Sequence, residues 1–289
     1  MCGIVGLFAK TPRYEEQLGH YLSEMLETMT DRGPDSAGFA VYGNQAPGQV
    51  RLTLRLNEGE ELPDWLSSFE PVVRSNHAVV KVPEDAAMQT ARDLRAAGLT
   101  IVGVGSRMEL YKGVGLPRAV CSQFGLADMA ATHGLGHTRM ATESAVTTDG
   151  AHPFNTGPDL CLVHNGSLSN HASLRRVLSK QGIQFETQND SEVAAGYLNW
   201  RMNEGDGLKE ALEHALDDLD GFFTFVVGTE RGLGVLRDPI ACKPAVMCET
   251  DDLIAFGSEY RALAMLPDVE NAHVWEPEPA TVYFWERAA

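Results

Sequence analysis

Basic residues are scarce in this sequence, which has 23 lysines and arginines against 40 aspartates and glutamates, and a net charge of −17. Nucleic acids and anionic membranes are bound through basic patches, so the composition argues against either as a partner. No apolar run approaches the roughly 20 residues that span a bilayer. We therefore expect a soluble protein whose partners are small molecules or other proteins.

Cysteine is also infrequent, and the five cysteines show no CxxC spacing. An odd number without such pairs indicates neither a disulfide framework nor a zinc ribbon. The start, MCGIVGLFAK, does not have the form of an export signal, because the first cation, Lys10, follows the apolar run. These features predict a reducing, cytoplasmic location. The cysteines are Cys2, Cys121, Cys161, Cys242 and Cys248.

The apolar pattern predicts an α+β layered domain. Strings such as GFFTFVVG and DLIAFGS are apolar throughout, which indicates strands buried on both faces of a sheet. The region 44–122 is less regular, with a helix predicted around Asp85 to Ala97, and is interpreted as an elaboration of a single domain over 1–289. A helix with one buried face is predicted from the helical spacing of Leu18, Tyr21, Leu22, Met25, Leu26 and Met29.

The position of Cys2 is unusual, because removal of the initiator methionine would leave a thiol and a free α-amine on one residue. An α-amine has a pKa of roughly 8, so near neutrality much of it is an unprotonated base. One residue could then supply both nucleophile and general base. The alternative is that Cys2 is a small apolar residue that opens a buried strand.

Polar clusters follow several predicted strands in an order that is similar to a known family. Together with MCGIVG, this order resembles the class II glutamine amidotransferases, which are N-terminal nucleophile hydrolases. The resemblance covers nearly the whole chain. It implies a four-layer αββα sandwich and hydrolysis of the glutamine side-chain amide to glutamate and ammonia. The clusters are DRGPDSAG, GHTRMATESAV, GAHPF, CLVHNGSLSN, QNDSEVAAGYL and GVLRDPIACKPAVMC.

The resemblance implies a catalytic role for three residues. Cys2 matches the family nucleophile, which would form a thioester with its own amine as proton acceptor. Asn165 and Gly166 match the pair that stabilises the tetrahedral oxyanion, a contact worth roughly 3 kcal/mol. From the residues alone, an ordinary tight turn is the favoured interpretation of Asn165 and Gly166.

The resemblance also implies a set of glutamine-binding residues. Arg139 matches the residue that grips the α-carboxylate, and Asp190 matches the acid that binds the α-ammonium. Asp190 could alternatively cap the helix that follows it. Arg32 and Gly33 match the loop beside the nucleophile, and Thr142 matches a residue of the glutamine pocket.

Three positions depart from the family pattern, and one further histidine is interpreted as structural. Met140 stands where the family has an aromatic residue, and Glu143 and Ser144 replace a frequent His-Gly pair. All three belong to the segment that closes over glutamine, so the departures concern loop closure and affinity. His152 in GAHPF matches a family histidine with a structural role.

Most members of the family carry a synthase domain in the same chain, whereas this sequence stops after a predicted strand, ATVYFWERAA. We expect the ammonia acceptor on a separate synthase subunit of a hetero-oligomer. The chain resembles the subunits of glutamate-synthase-like and N-methylglutamate synthase complexes. That resemblance places FMN and iron–sulfur centres on partner subunits, and no cofactor or metal in this chain.

Two other functions remain open at the level of sequence. The chain could be a non-catalytic interaction or regulatory subunit with the same fold, in which Met1 is retained. It could also be a metal-dependent hydrolase whose ligands are among His133, His137, His152 and His164.

Overall fold

The computed structural model describes residues 2–57, 59–141 and 145–287. The described residues contain the predicted mixture of strands and helices, and the strands pair antiparallel. In chain order the strands are β1 (Gly3–Ala9), β2 (Ser36–Tyr42), β3 (Gln49–Arg55), β4 (Val72–Arg74), β5 (His77–Pro83), β6 (Thr100–Gly105), β7 (Met108–Val114), β8 (His133–Arg139), β9 (Phe154–Gly157), β10 (Leu160–Leu168), β11 (Gly221–Gly228), β12 (Gly232–Arg237), β13 (Val246–Glu249), β14 (Leu253–Gly257), β15 (His273–Trp275) and β16 (Thr281–Glu286).

The helices lie mostly between groups of strands. The first contains the predicted apolar stripe, with Leu18, Leu22 and Met25 fully buried. None of the helices in the described ranges is long and apolar enough to cross a membrane. They are α1 (Leu18–Thr28), α2 (Glu84–Ala96), α3 (Pro117–Phe124), α4 (His171–Lys180), α5 (Asp190–Asn203), α6 (Leu208–Asp218) and α7 (Tyr260–Leu263).

Two large sheets form the centre of the molecule. One has the order β15-β13-β14-β1-β8-β2-β7, and the other has the order β16-β12-β11-β10-β9. Strand β1 shows why its sequence is apolar throughout: Val5 and Leu7 pack in a core with α1, while Ile4 and Phe8 pack in the core between the sheets. Helices α4, α5 and α6 cover the outer face of the second sheet. The result is the predicted αββα sandwich.

The region 44–122 divides between two parts of the fold. Strands β3 to β6 form a separate sheet, in the order β4-β5-β3-β6, with its own apolar core under α2. We call this part the outer sheet. Strand β7 instead pairs with β2 in the seven-stranded sheet. The end of region 44–122 therefore belongs to the main sandwich. The interpretation of the region as an inserted elaboration stays a prediction.

Candidate active site

Cys2 lies at the entry to the central strand of the seven-stranded sheet. Strand β1 pairs with β8 on one side and β14 on the other, and the pair Gly3–Thr138 places Cys2 at the same end of the sheet as Arg139. Its side chain is partly exposed. Its carbonyl accepts hydrogen bonds from Asn165 Nδ2 at 3.2 Å and from Arg32 Nε at 3.0 Å. Three of the predicted site residues therefore meet directly.

The loop that carries Arg32 and Gly33 is packed tightly against strand β8. Arg32 is buried and forms an ion pair with Glu259, with Nη1 and Oε1 2.7 Å apart. A Cβ atom at Gly33 would overlap the backbone of Thr138 and Arg139, so only glycine allows this approach. The loop thereby holds the start of β1 through the hydrogen bond from Arg32 to Cys2.

Asn165 and Gly166 lie inside strand β10, opposite Thr224 and Phe223 of β11. The interpretation as an ordinary tight turn is therefore wrong. Gly166 has φ of +150°, and a Cβ atom there would overlap the Phe222 carbonyl oxygen. An L side chain does not fit this backbone, so the glycine holds the strand in an unusual conformation beside Cys2.

Asp190 is the first residue of α5 and connects that helix to the end of β10. Its Oδ2 accepts a hydrogen bond from the Leu168 backbone N–H at 2.9 Å. The cap of α5 is Asn189, whose side chain accepts from the Ser191 N–H at 2.9 Å, so the capping interpretation of Asp190 is wrong. The other carboxylate oxygen, Oδ1, lies 3.4 Å from the hydroxyl oxygen of Ser191.

Arg139 ends strand β8, and its side chain is largely buried. Its Nη1 donates to the Ala145 carbonyl at 3.4 Å, which ties it to the segment after the predicted closing loop. Met140 is 36% exposed. Thr142, Glu143 and Ser144 lie outside the described residues.

Behind these residues lies a buried group that we call the histidine–serine cluster: His137, His152, His164 and Ser191. Ser191 Oγ lies 2.7 Å from His152 Nε2 and 2.8 Å from His164 Nδ1. The rings of His137 and His152 stack at 3.9 Å, and His137 Nε2 donates to the His164 carbonyl at 3.2 Å. The cluster joins β8, β10 and α5, the elements that carry Arg139, Asn165 and Asp190.

The cluster is electrically neutral because burial disfavours charge on its imidazoles. Burial lowers the pKa of His137 to about 3 and that of His164 to about 4, and it lowers the pKa of His152 well below its ordinary value. Ser191 Oγ also lies 3.4 Å from Asp190 Oδ1, so its one proton goes either to that carboxylate or to one imidazole, and the remaining imidazole nitrogens donate to Oγ. The string QNDSEVAAGYL contains this serine, but it does not show which histidines the serine contacts.

The four histidines proposed as metal ligands do not form one site, because His133 lies apart from the cluster of His137, His152 and His164. His133 and His137 are both on β8, and four residues along a strand span roughly 13 Å. His133 donates Nε2–H to the Thr229 carbonyl at 2.8 Å and stacks on Tyr42. In the described ranges, no group of three histidines, cysteines or carboxylates is arranged to hold a metal ion. The geometry therefore does not support the metal-dependent alternative.

Comparison with known proteins defines the class to which this fold and site belong. The glutamine amidotransferase domain family GATase_7 matches residues 137–265. The glutamine amidotransferase-like protein GlxB of Rhizobium meliloti is 58% identical over 99% of this chain and 98% of its own length. A putative glutamine amidotransferase of Methanothermobacter thermautotrophicus is 32% identical over 98% of this chain and 99% of its own.

Solved structures confirm the predicted fold. The glutamine phosphoribosylpyrophosphate amidotransferase of B. subtilis superposes with a TM-score of 0.65, at 21% identity, over 99% of this chain and 47% of its own. The chain belongs to the class II glutamine amidotransferases. It is therefore an amidotransferase enzyme. Glutamine as its substrate is consistent with the family.

We predict that the hydroxyl of Ser191 positions the glutamine-binding residues. Ser191→Ala should raise KM for glutamine several-fold and lower the free energy of unfolding by about 1–3 kcal/mol, because two buried imidazole nitrogens lose their partner. Ser191→Thr, which keeps the hydroxyl, should restore both. Steady-state kinetics and urea denaturation measure the two effects.

The matched control is Ser173→Ala, which removes an exposed hydroxyl bonded to the Asn170 carbonyl in α4. We expect no change of KM in this control. An unchanged KM in Ser191→Ala, or an equal rise in Ser191→Thr, would contradict the positioning role.

Proposed function

We propose that this chain hydrolyses the side-chain amide of L-glutamine through a thioester on Cys2 and delivers the ammonia to a separate synthase subunit. The observation that carries the proposal is the 3.2 Å hydrogen bond from Asn165 Nδ2 to the Cys2 carbonyl. It brings the amide donor to the residue whose thiol would attack. An amide NH₂ has two donors, so the second N–H of Asn165 is available for an oxyanion.

The proposed reaction follows from the positions of these groups. The Cys2 thiol attacks the glutamine amide carbon, and the released α-amine accepts the thiol proton. The oxyanion is stabilised by the Asn165 side chain and the Gly166 N–H, after which ammonia leaves with that proton. Water then hydrolyses the thioester, which releases glutamate and restores the thiol.

Two charged residues would hold the rest of the glutamine. Arg139 lies at the same sheet end as Cys2 and would bind the α-carboxylate with its planar guanidinium. Asp190 Oδ2 accepts from the Leu168 N–H and Oδ1 lies 3.4 Å from Ser191 Oγ, and the remaining lone pairs of this carboxylate would accept from the α-ammonium. This division of roles predicts that substitutions at these two residues act mainly on KM.

The lengths of the relatives support a separate synthase partner. GlxB and the Methanothermobacter protein are matched over nearly their full length. By contrast, the glutamine–fructose-6-phosphate aminotransferase of Vibrio vulnificus strain YJ016 is matched over only 22% of its own. Our proposed partner is a synthase subunit of the glutamate-synthase-like or N-methylglutamate synthase type, which would bring FMN and iron–sulfur centres. The five free cysteines fit the cytoplasmic location that we propose for the complex.

We expect the isolated chain to be a slow glutaminase that its partner activates. Ammonia released into water is largely protonated and lost as a nucleophile, so hydrolysis without an acceptor would waste glutamine. The segment after Arg139 departs from the family pattern at Met140, and closure of such a segment completes a site and excludes water. Docking of the partner should raise kcat by roughly tenfold or more, equal to about 1.4 kcal/mol of the barrier.

The test is glutamate release by the purified chain alone and by the complex isolated with its native partners. A large rise in kcat supports activation by docking. Equal rates would remove the activation step and leave the glutaminase assignment in place. No hydrolysis in either sample would instead support a non-catalytic subunit.

A further inference from the structure

A cavity of about 650 Å³ lies between the outer sheet and the main sandwich. One wall comes from β3, α2 and β6. The other comes from β9, from the connection between α4 and α5, and from α5 itself. Cys2, Arg139, Asn165 and Asp190 do not line the cavity, so it is separate from the candidate active site. Its volume is typical of a small-molecule site.

A buried lysine on the cavity wall is the first sign of a ligand. Lys112 is 6% exposed, and its ammonium donates to the backbone carbonyls of Asp149 and Ala151 at 3.3 and 3.1 Å. Within the ranges that the structure describes, no carboxylate is close enough to form an ion pair with it. Burial lowers its pKa to about 8. The two carbonyls and the Phe154 ring, whose centre lies 4.9 Å from Nζ, stabilise this ammonium in part, and the anion of a ligand would balance its charge.

A second buried cation faces the same space. Arg55 of β3 lines the cavity, and its side chain is only 13% exposed. It pairs with Asp149, with Nη2 and Oδ1 2.8 Å apart. Lys112 of the main sandwich and Arg55 of the outer sheet therefore both bind one short segment, residues 149–151, on the side that faces the cavity.

The remaining charges on the wall indicate what the ligand carries. The basic side chains of the lining are Arg55, Arg95 and Lys112, and the acidic ones are Asp149, Glu186 and Glu192. Glu192 is already bonded to the backbone N–H groups of residues 186 and 187. A lining balanced between both signs lacks the cationic excess that a polyanion such as phosphate requires, and it is complementary to a molecule that carries one charge of each sign.

We propose that this cavity binds an amino acid as a zwitterion, with its carboxylate held by Lys112 and Arg55 and its ammonium directed toward Glu186. Asn155, Gln184 and Asn199 also line the cavity and supply neutral hydrogen-bonding groups. The site uses no residue of the glutamine pocket.

The position of this site also couples it to the glutamine pocket, a consequence that rests on the proposed function. A carboxylate in the cavity competes with the carbonyls of Asp149 and Ala151 for the Lys112 protons. Segment 149–151 leads into His152 of the histidine–serine cluster. A Cβ atom at Gly150 would lie 3.4 Å from Arg139 Nη1, so the segment also lies beside the predicted carboxylate-binding group. An amino acid in the cavity should therefore change KM for glutamine.

The test is binding of each of the twenty L-amino acids to the full chain, followed by calorimetry of those that raise Tm. We expect Lys112→Met to weaken binding by roughly thirtyfold or more, because one partner of a buried charge pair is removed. Arg139→Met should leave this binding intact. Lys81→Met is the matched control, since Lys81 is an exposed lysine of the outer sheet. Arg55→Gln provides a second variant if Lys112→Met does not fold.

The two sites give opposite patterns, which separates them. Binding that is lost in Arg139→Met and kept in Lys112→Met belongs to the glutamine pocket and overturns the proposal. Saturable binding of none of the amino acids overturns it as well. Glutarate, which has carboxylates but no ammonium, and inorganic phosphate should bind much more weakly. Equal binding of either would show an anion site and contradict the zwitterion.

Discussion

Replacement of Cys2 by alanine is expected to abolish glutamine hydrolysis, with a loss in kcat of roughly 10⁴-fold or more. Removal of a covalent nucleophile usually leaves only the contribution of binding and oxyanion stabilisation. The hydrogen bonds that Asn165 and Arg32 make to residue 2 use its carbonyl, so they persist in the variant. The folded structure should therefore be retained, which circular dichroism and Tm would verify.

A glutamine-mimicking diazoketone should label only Cys2 in the wild-type protein. Burial raises the pKa of Cys121 to about 12 and that of Cys248 to about 11, and it raises the pKa of Cys161 as well. Such thiols remain protonated and unreactive near neutral pH. Cys242 is exposed and serves as the internal control for unspecific alkylation. Peptide mass spectrometry would locate the label.

The same spectra report the N-terminus on which this prediction depends. A mature chain that begins at Cys2 has the free α-amine that the proposed mechanism uses as its base. Hydrolysis that survives Cys2→Ala, or a label on Cys242 in place of Cys2, would contradict the assignment. Retained Met1 together with no activity would favour the non-catalytic alternative.

An α+β layered domain could be predicted from the residues because its signals are local, whereas the four-layer αββα sandwich was implied by the family resemblance. The buried face of α1 repeats with the helical period, and β1 is apolar at each position because both faces of its sheet are covered. The strands of the outer sheet are harder to predict from the sequence. Strand β3, QVRLTLR, alternates apolar residues with Arg51 and Arg55. Arg51 can be buried because the carbonyls of Ser106 and Asn44 accept its protons and Glu109 forms an ion pair with it.

The candidate site could also be predicted only in part from the sequence. The resemblance identified Cys2, Arg139, Asn165 and Asp190, and the structure brings these residues to one end of the sandwich. Ser191 was not identified, because its partners lie 27 and 39 residues away along the chain. Contacts between distant side chains leave no periodic pattern in a sequence. The capping alternative for Asp190 stayed open in the sequence for a related reason, since Asn189 beside it is an equally good cap residue.

Asn165→Ala is expected to lower kcat for glutamine by roughly 10²- to 10³-fold, with little change in KM. The amide would donate to the oxygen of the substrate only when that oxygen carries negative charge, so its contribution belongs to the transition state. Arg139→Lys and Asp190→Asn should show the opposite pattern. They remove contacts that glutamine makes before and during the reaction, so KM should rise more than kcat falls.

The comparison is informative because Asn165 also holds the Cys2 carbonyl. Loss of the bond from Asn165 to the Cys2 carbonyl should by itself change kcat little, since Arg32 Nε still donates to the same oxygen at 3.0 Å. Asn165→Asp keeps the shape of the side chain but replaces the donor with an acceptor of negative charge, which would repel an oxyanion. Its kcat should therefore be at least as low as that of Asn165→Ala. If Asn165→Asp retained most of kcat, or if Asn165→Ala changed KM alone, Asn165 would act only by holding the start of β1, and the oxyanion role would be wrong.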